Sequence, residues 1–168
     1  FHAPLFFLSA IDTVQEQFCD DLGLSAEDAL LKHNLAPLRS RRCIAMLGLL
    51  REIVLGKAAP QYAEFVYFER PRNEPRGWRA KESRHSKQLH DPIDGTQSRA
   101  VQRSLLGMVY VYNMLPQSVV ESQSVSSFQR KLQNCIKKLA KSKFPSWSSF
   151  FDDGIRNTSY SLFQDCFL

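Results

Sequence analysis

Apolar residues recur at spacings of three and four near the start of the chain. Phe7, Ile11, Val14, Phe18 and Leu22 carry the pattern, with Asp12, Gln15, Glu16 and Asp20 between them. That period predicts an amphipathic helix. Gly23 is its natural stop, because glycine accepts the left-handed backbone that closes a helix. Ser25 opens a second, short helix. In "SAED", Asp28 stands three residues after the serine, close to a capping box, and acids lie at the positive end of the helix dipole. Its end is expected near Asn34. The stretch "LAPLRSRRCIAMLGLLREIVLGKAAP" is the most apolar of the chain. Pro37 suits a first helical turn, where its missing N–H costs nothing. From Arg41 to Leu55 apolar side chains occupy nearly every face, which predicts a central buried helix ended by Gly56. Gly48 inside it costs about 1 kcal/mol against alanine, a cost that close packing can offset. "PQYAEFVYF" predicts a further helical turn or two.

Residues 69 to 103 change character. Three prolines and two glycines accompany Arg70, Arg72, Arg76, Arg79, Lys81, Arg84, Lys87, Arg99 and Arg103, which outnumber Glu74, Glu82, Asp91 and Asp94. A long, mobile basic loop is expected there. Order returns at "SLLGMVYVYNMLPQSVV". Alternation at Met108, Tyr110 and Tyr112 permits a strand, but the continuation into "NMLP" favours a short helix broken at Pro116. A clear amphipathic helix follows. Val125, Phe128, Leu132, Cys135, Ile136 and Leu139 form one stripe, and Arg130, Lys131, Lys137, Lys138 and Lys141 cover the other faces. Ser126 and Gln129 stand at capping-box spacing. After Phe144 no period is evident. The expected fold is mainly α: a small irregular helical bundle with a long basic loop between its N-terminal and C-terminal helices. Its parts are an N-terminal helical part (1–68), a basic flexible loop (69–103), a C-terminal helical part (104–141) and an irregular tail (142–168).

Composition adds bounds. A chain of 168 residues can bury a real core, and 43% hydrophobic with 23% charged residues is ordinary for a globular protein. No apolar run is long enough to span a bilayer, so no membrane partner is expected. "APLFFLSAI" lacks a preceding basic flank and does not read as a signal peptide. The chain opens on Phe rather than Met, which suggests a fragment or a processed piece. A net charge of +5 leans mildly toward an anionic partner. Cys19, Cys43, Cys135 and Cys166 are widely spaced in apolar surroundings, which reads as buried free thiols of an intracellular protein, nuclear or cytoplasmic.

Several of these stretches, in this order, resemble the region downstream of the polymerase core in non-LTR (LINE-like) retrotransposon reverse transcriptases. The resemblance rests on "HAPLFFLSAIDTVQEQF" running into "LGLSAEDALLKHNLAPLRSRRCIAMLGLL", then "RHSKQL", "GMVYVYNMLPQSVV" and "SVSSFQRKLQ", over roughly residues 2 to 141. The family shares an aromatic-Asn-x-Leu-Pro signature, here Tyr112, Asn113, Met114, Leu115 and Pro116. The family more often has Trp before the Asn, and an acid where Cys43 stands. The resemblance implies a parent RNA-directed DNA polymerase, with Mg²⁺ in the parent and an upstream polymerase domain as partner. This chain would be the noncatalytic helical part that follows the fingers and palm.

One motif tests that division. "SFFDDGIRN" sets Asp152 and Asp153 behind two phenylalanines, the spelling with which polymerases hold catalytic metal ions. Such a pair works at a tight hairpin between buried strands, with a third carboxylate from another strand. Here the flanks are polar and turn-rich, the other carboxylate strand is missing, and the motif follows the matched region instead of preceding it. It reads as a turn. His85 and His90 are five apart, unsuited to one helix face, and Ser86 beside His85 lacks an orienting acid. No catalytic, cofactor or metal residue is therefore expected in this segment. Arg76, Trp78, Arg79, Arg84, His85 and Lys87 in the loop, with Lys137, Lys138 and Lys141 on the last helix, are the candidate RNA or DNA contacts, combining backbone neutralisation with stacking. The alternative reading is a stand-alone helical module whose exposed apolar stripes dock a partner protein.

Overall fold

The structure, a computed structural model, describes residues 5–68, 84–93, 98–154 and 160–167. Eight α-helices carry these residues: α1 (Leu5–Asp21), α2 (Ala26–His33), α3 (Leu38–Val54), α4 (Arg99–Gln102), α5 (Gly107–Met114), α6 (Gln117–Val120), α7 (Val125–Lys141) and α8 (Tyr160–Asp165). Short 3₁₀ turns stand at Pro60–Glu64 and Trp147–Ser149. Among the described residues the β structure is a single antiparallel bridge between Phe68 and Leu89. The bundle is mainly helical, as the periodicity predicts.

Local chemistry sets most boundaries. Gly23 and Gly56 follow α1 and α3 with φ of +65° and +67°, the left-handed region that glycine enters without a steric penalty. Ser25 caps α2 by accepting the Asp28 N–H at 3.0 Å, and Asn34 closes it in the left-handed conformation. Pro37 is the N-cap of α3, one residue before the first turn. The cap of α7 is Ser124, which accepts the Ser127 N–H at 3.1 Å. Ser126, at capping-box spacing in the sequence, lies inside the helix instead. Leu115 leaves α5 extended because Pro116 follows it.

Helix α3 is the centre. It packs against α7, α5, α1 and the C-terminal turns. Cys43, Ile44, Leu47 and Leu50 enter the core with Met108, Val111 and Tyr112 of α5 and Phe128, Leu132, Cys135 and Ile136 of α7. Gly48 lies against α7, where an added Cβ would run into the Gln129 side chain. Arg51 of α3 is buried, and its Nη2–H donates to Ser122 O at 2.8 Å. All four cysteines are free and buried. The hydrogen bond between Cys135 and Cys166, with burial, pushes the Cys135 thiol up; the same hydrogen bond draws the Cys166 thiol down against the effect of its own burial.

Two elements depart from the sequence expectation. The first is α1. Its buried side is the line Leu8, Asp12, Gln15 and Cys19. Arg42 donates two hydrogen bonds to Asp12 at 2.6 and 2.8 Å, Gln15 donates to Ala36 O at 3.1 Å, and Cys19 is buried. The stripe Phe7, Ile11, Val14, Phe18 and Leu22 therefore faces outward. Polar anchors chose the inner face where periodicity marked a neighbouring one. The second is the tail. Where they are described, residues 142–168 carry three short helical pieces: the 3₁₀ turn, a π turn and α8. "FFDDG" forms a single π-helical turn, Phe150–Gly154, rather than an Asp-Gly loop turn. Phe150, Phe151 and Phe163 are fully buried, with Phe150 stacked on Phe163 at 5.7 Å and edge-on to Phe144 at 5.9 Å. Aromatic bulk closes this end of the core, so few residues suffice and no helical period is needed.

Phe163→Ala is expected to destabilise the fold by about 3–5 kcal/mol, the usual loss for a buried phenylalanine. Urea unfolding followed by circular dichroism reads this as a lowered midpoint at unchanged slope. A solvated tail would leave the midpoint in place.

Candidate nucleic-acid interface

An open groove of about 870 Å³ runs between α3 and α7. Leu38, Arg41, Arg42, Ile44 and Ala45 form one wall, with Asn34 beside them; Ser126, Gln129, Arg130, Gln133, Asn134 and Lys137 form the other. The helix period explains the second wall. Arg130, Asn134 and Lys137 are four and three apart, so they share one edge of α7, and Lys141 continues the line. Arg130 and Lys137 are separated by about 10 Å along the axis at 1.5 Å per residue. Arg42 is committed to Asp12, and that hydrogen bond holds its guanidinium further into the charged form. No ion pair among the described residues engages Arg41, Arg130 or Lys137. No carboxylate is among the described lining residues. The groove therefore offers guanidinium, ammonium and amide donors, groups that can hydrogen-bond phosphate oxygens.

The sequence candidates divide. Arg76, Trp78 and Arg79 lie outside the described residues. Arg84 and Lys87 are exposed, with the Lys87 ammonium 5.8 Å from the Phe68 ring centroid. Lys137 is half-buried at the groove, and Lys138 and Lys141 are exposed near the C-terminal end of α7. His85 is a correction: it is 4% exposed and points into the protein. Its Nδ1 accepts the Lys87 N–H at 3.1 Å, so Nε2 carries the proton and donates to Tyr112 O at 3.1 Å. Burial, with the positive charge of Arg51, holds the imidazole below its ordinary pKa.

Residues 84–93 are thus packed, not part of a free loop. Asn113 accepts the Leu89 N–H at 2.9 Å and returns a hydrogen bond to Leu89 O at 2.7 Å. Gln117 accepts the Ser86 N–H at 2.9 Å, and Gln88 donates to Asn113 O at 3.3 Å. His90 stacks on Tyr67 at 4.9 Å. "RHSKQL" and "YNMLP", far apart in sequence, are two halves of one clasp.

Asp152 is placed differently from a metal ligand. Asp152 accepts from Arg39 Nε at 2.7 Å and lies 3.3 Å from Arg103 Nε, with its side chain 9% exposed. Ser40 Oγ donates to Ser148 O at 2.5 Å beside it. Two guanidinium groups already neutralise the carboxylate, so the residues present do not fit a Mg²⁺ site. Among the described residues no three His, Cys, Asp or Glu side chains gather as a metal cluster, and no helix is long and apolar enough to cross a membrane.

No family model, no curated protein and no solved structure matches the chain. Arg41 and Arg130 were absent from the sequence candidates. Their cationic type was visible, but the groove pairs residues about 90 positions apart, and no local pattern reports that.

Two outcomes follow from this geometry. In the unfolded chain His85 takes a proton as pH falls through about 6.5, and in the folded chain only at lower pH. Its contribution is complete above pH ~6.5 and is lost as pH falls through the folded value. Urea midpoints at pH 7.5 and 5 should therefore differ in the wild type, and His85→Gln should shrink the difference. Asp152→Asn, which leaves two guanidinium groups without their carboxylate, should cost about 2 kcal/mol in the same assay. An unchanged midpoint would show that the turn does not depend on that ion pair.

Proposed function

We propose that this chain is a noncatalytic helical segment of a non-LTR retrotransposon reverse transcriptase, which supports the polymerase and holds the phosphate backbone of RNA or DNA along the α3–α7 groove. The observation that carries the reading is the groove itself: four cations, of which Arg42 is paired with Asp12, and four amides, with no carboxylate among its described lining residues. Two further features support it. The motifs that resemble the family serve architecture, since Asn113 and His85 are spent on the clasp. Arg84, Lys87, Lys138 and Lys141 are further exposed cations of the same body. Catalysis and its Mg²⁺ belong to the parent polymerase, and the setting is intracellular, nuclear or cytoplasmic.

Fluorescence anisotropy with a labelled RNA hairpin across a salt series tests the reading. Binding should weaken steeply with salt. Arg41→Ala, Arg130→Ala and Lys137→Ala together should lower the slope of log K against log salt by about 2–3, roughly one per phosphate contact. Replacing Arg76, Arg79, Arg84 and Lys87 by alanine tests the loop separately. Binding indifferent to both sets removes the nucleic-acid role. Palm-type carboxylate motifs in the coding sequence upstream would support the parent polymerase, and their absence would oppose it.

A further inference from the structure

The outward stripe of α1 is the largest apolar feature left uncovered among the described residues. Phe7, Ile11, Val14, Phe18 and Leu22 are 53–66% exposed, and Phe6 is 77% exposed. The helix cannot roll to bury them. Its opposite anchors, the Asp12–Arg42 fork, the Gln15 hydrogen bond and Cys19, would break first. Six apolar side chains, each more than half exposed, present on the order of 600 Å². Burying that on each of two surfaces removes about 1,200 Å², the lower edge of specific, stable interfaces.

The stripe is self-complementary when two copies run antiparallel. The steps from Phe7 to Ile11, Val14 and Phe18 are four, three and four, the spacing of a two-heptad seam. With a two-fold axis midway between Asp12 and Thr13, Phe7 meets Phe18 of the second copy and Ile11 meets Val14. Within this seam Phe7 and Phe18 face each other and the branched aliphatics fill the centre, with Phe6 and Leu22 at its ends. On the solvent side the stripe is flanked by Ala10, Gln17 and Asp21. Ala10 allows close approach. Antiparallel pairing keeps the two Asp21 carboxylates at opposite ends, whereas parallel pairing would set them side by side. The helix has no lysine or arginine, so an anionic lipid surface would meet only its acids.

We infer that α1 is a dimerisation surface through which two copies of this chain pair in an antiparallel, two-fold manner. The interface is separate from the α3–α7 groove, so it stands whether or not nucleic acid binds.

Sedimentation velocity over a concentration series tests it. The 168-residue chain should move toward twice its mass as concentration rises, and Ile11→Glu and Phe18→Glu should each hold it at the monomer with an unchanged circular dichroism spectrum. Direction is read by crosslinking with a short bis-maleimide, the four native thiols being buried. Chains with Phe7→Cys should couple to chains with Phe18→Cys, and Phe7→Cys alone should not couple to itself. A wild-type chain that stays monomeric at every concentration overturns the inference. So does efficient Phe7→Cys self-coupling. Binding of α1 to phosphatidylcholine/phosphatidylglycerol vesicles without dimer formation would overturn it in favour of a lipid surface.

Discussion

Much of the bundle answers to one constraint: from Cys43 to Leu50, α3 is apolar or small, and Cys43, Ile44, Leu47 and Leu50 must be covered. Its arginines cluster in the first turns and at Arg51, and against the apolar remainder α1, α5, α7 and the C-terminal turns are drawn together. Several of the polar groups drawn into this body are met by specific partners, although Arg51 Nε and Nη1 and Tyr112 Oη are buried without a hydrogen bond among the described residues. Arg51 gives a hydrogen bond to the Ser122 carbonyl, Arg42 grips Asp12, and Arg39 shares Asp152 with Arg103. Each joins α3 or its covering to a distant part of the chain. Burial then sets how the elements pack, and the hydrogen bonds select one arrangement among those that burial allows.

The same logic accounts for how two residues of the resembled motifs are held. Asn113 uses both ends of its amide on Leu89, and His85 uses both ring nitrogens on backbone groups. A side chain so occupied has little left for a ligand, but it fixes residues 84–90 against α5. The cations instead lie where water reaches them, with one concentrated line along α7 facing Arg41 of α3. A rigid interior clasp and a donor-rich exterior groove are compatible roles for one helical support, which is the division of labour proposed for it.

Two stretches of similar sequence character met opposite fates. The stripes of α1 and α7 both repeat at helical spacing, yet Phe128, Leu132 and Ile136 are buried and Phe7, Val14 and Phe18 are not. Amphipathicity states that a face wants cover. It does not state which cover the rest of the chain provides, and for α1 the Asp12–Arg42 fork across 30 residues decided the matter. The candidate site was legible to a similar extent: Lys137, Lys138 and Lys141 were readable from the polar faces of α7, whereas His85 looked like a surface residue only because its acceptor, Tyr112 O, lies 27 residues away.

The sequence alone determined the helical class, the α2 cap at Ser25, the stops at Gly23, Gly56 and Pro116, the buried centre at α3 and the buried thiols. These follow from interactions within about four residues or from residue type, so a linear reading contains them. Tertiary structure alone decided the burial of the phenylalanine-rich tail, the capture of Asp152 by two arginines, the inward turn of His85 and the pairing of Arg41 with Arg130 across a groove. Each of these depends on partners 27 to 113 residues away, and the chain order does not say which of many apolar or charged residues will arrive there.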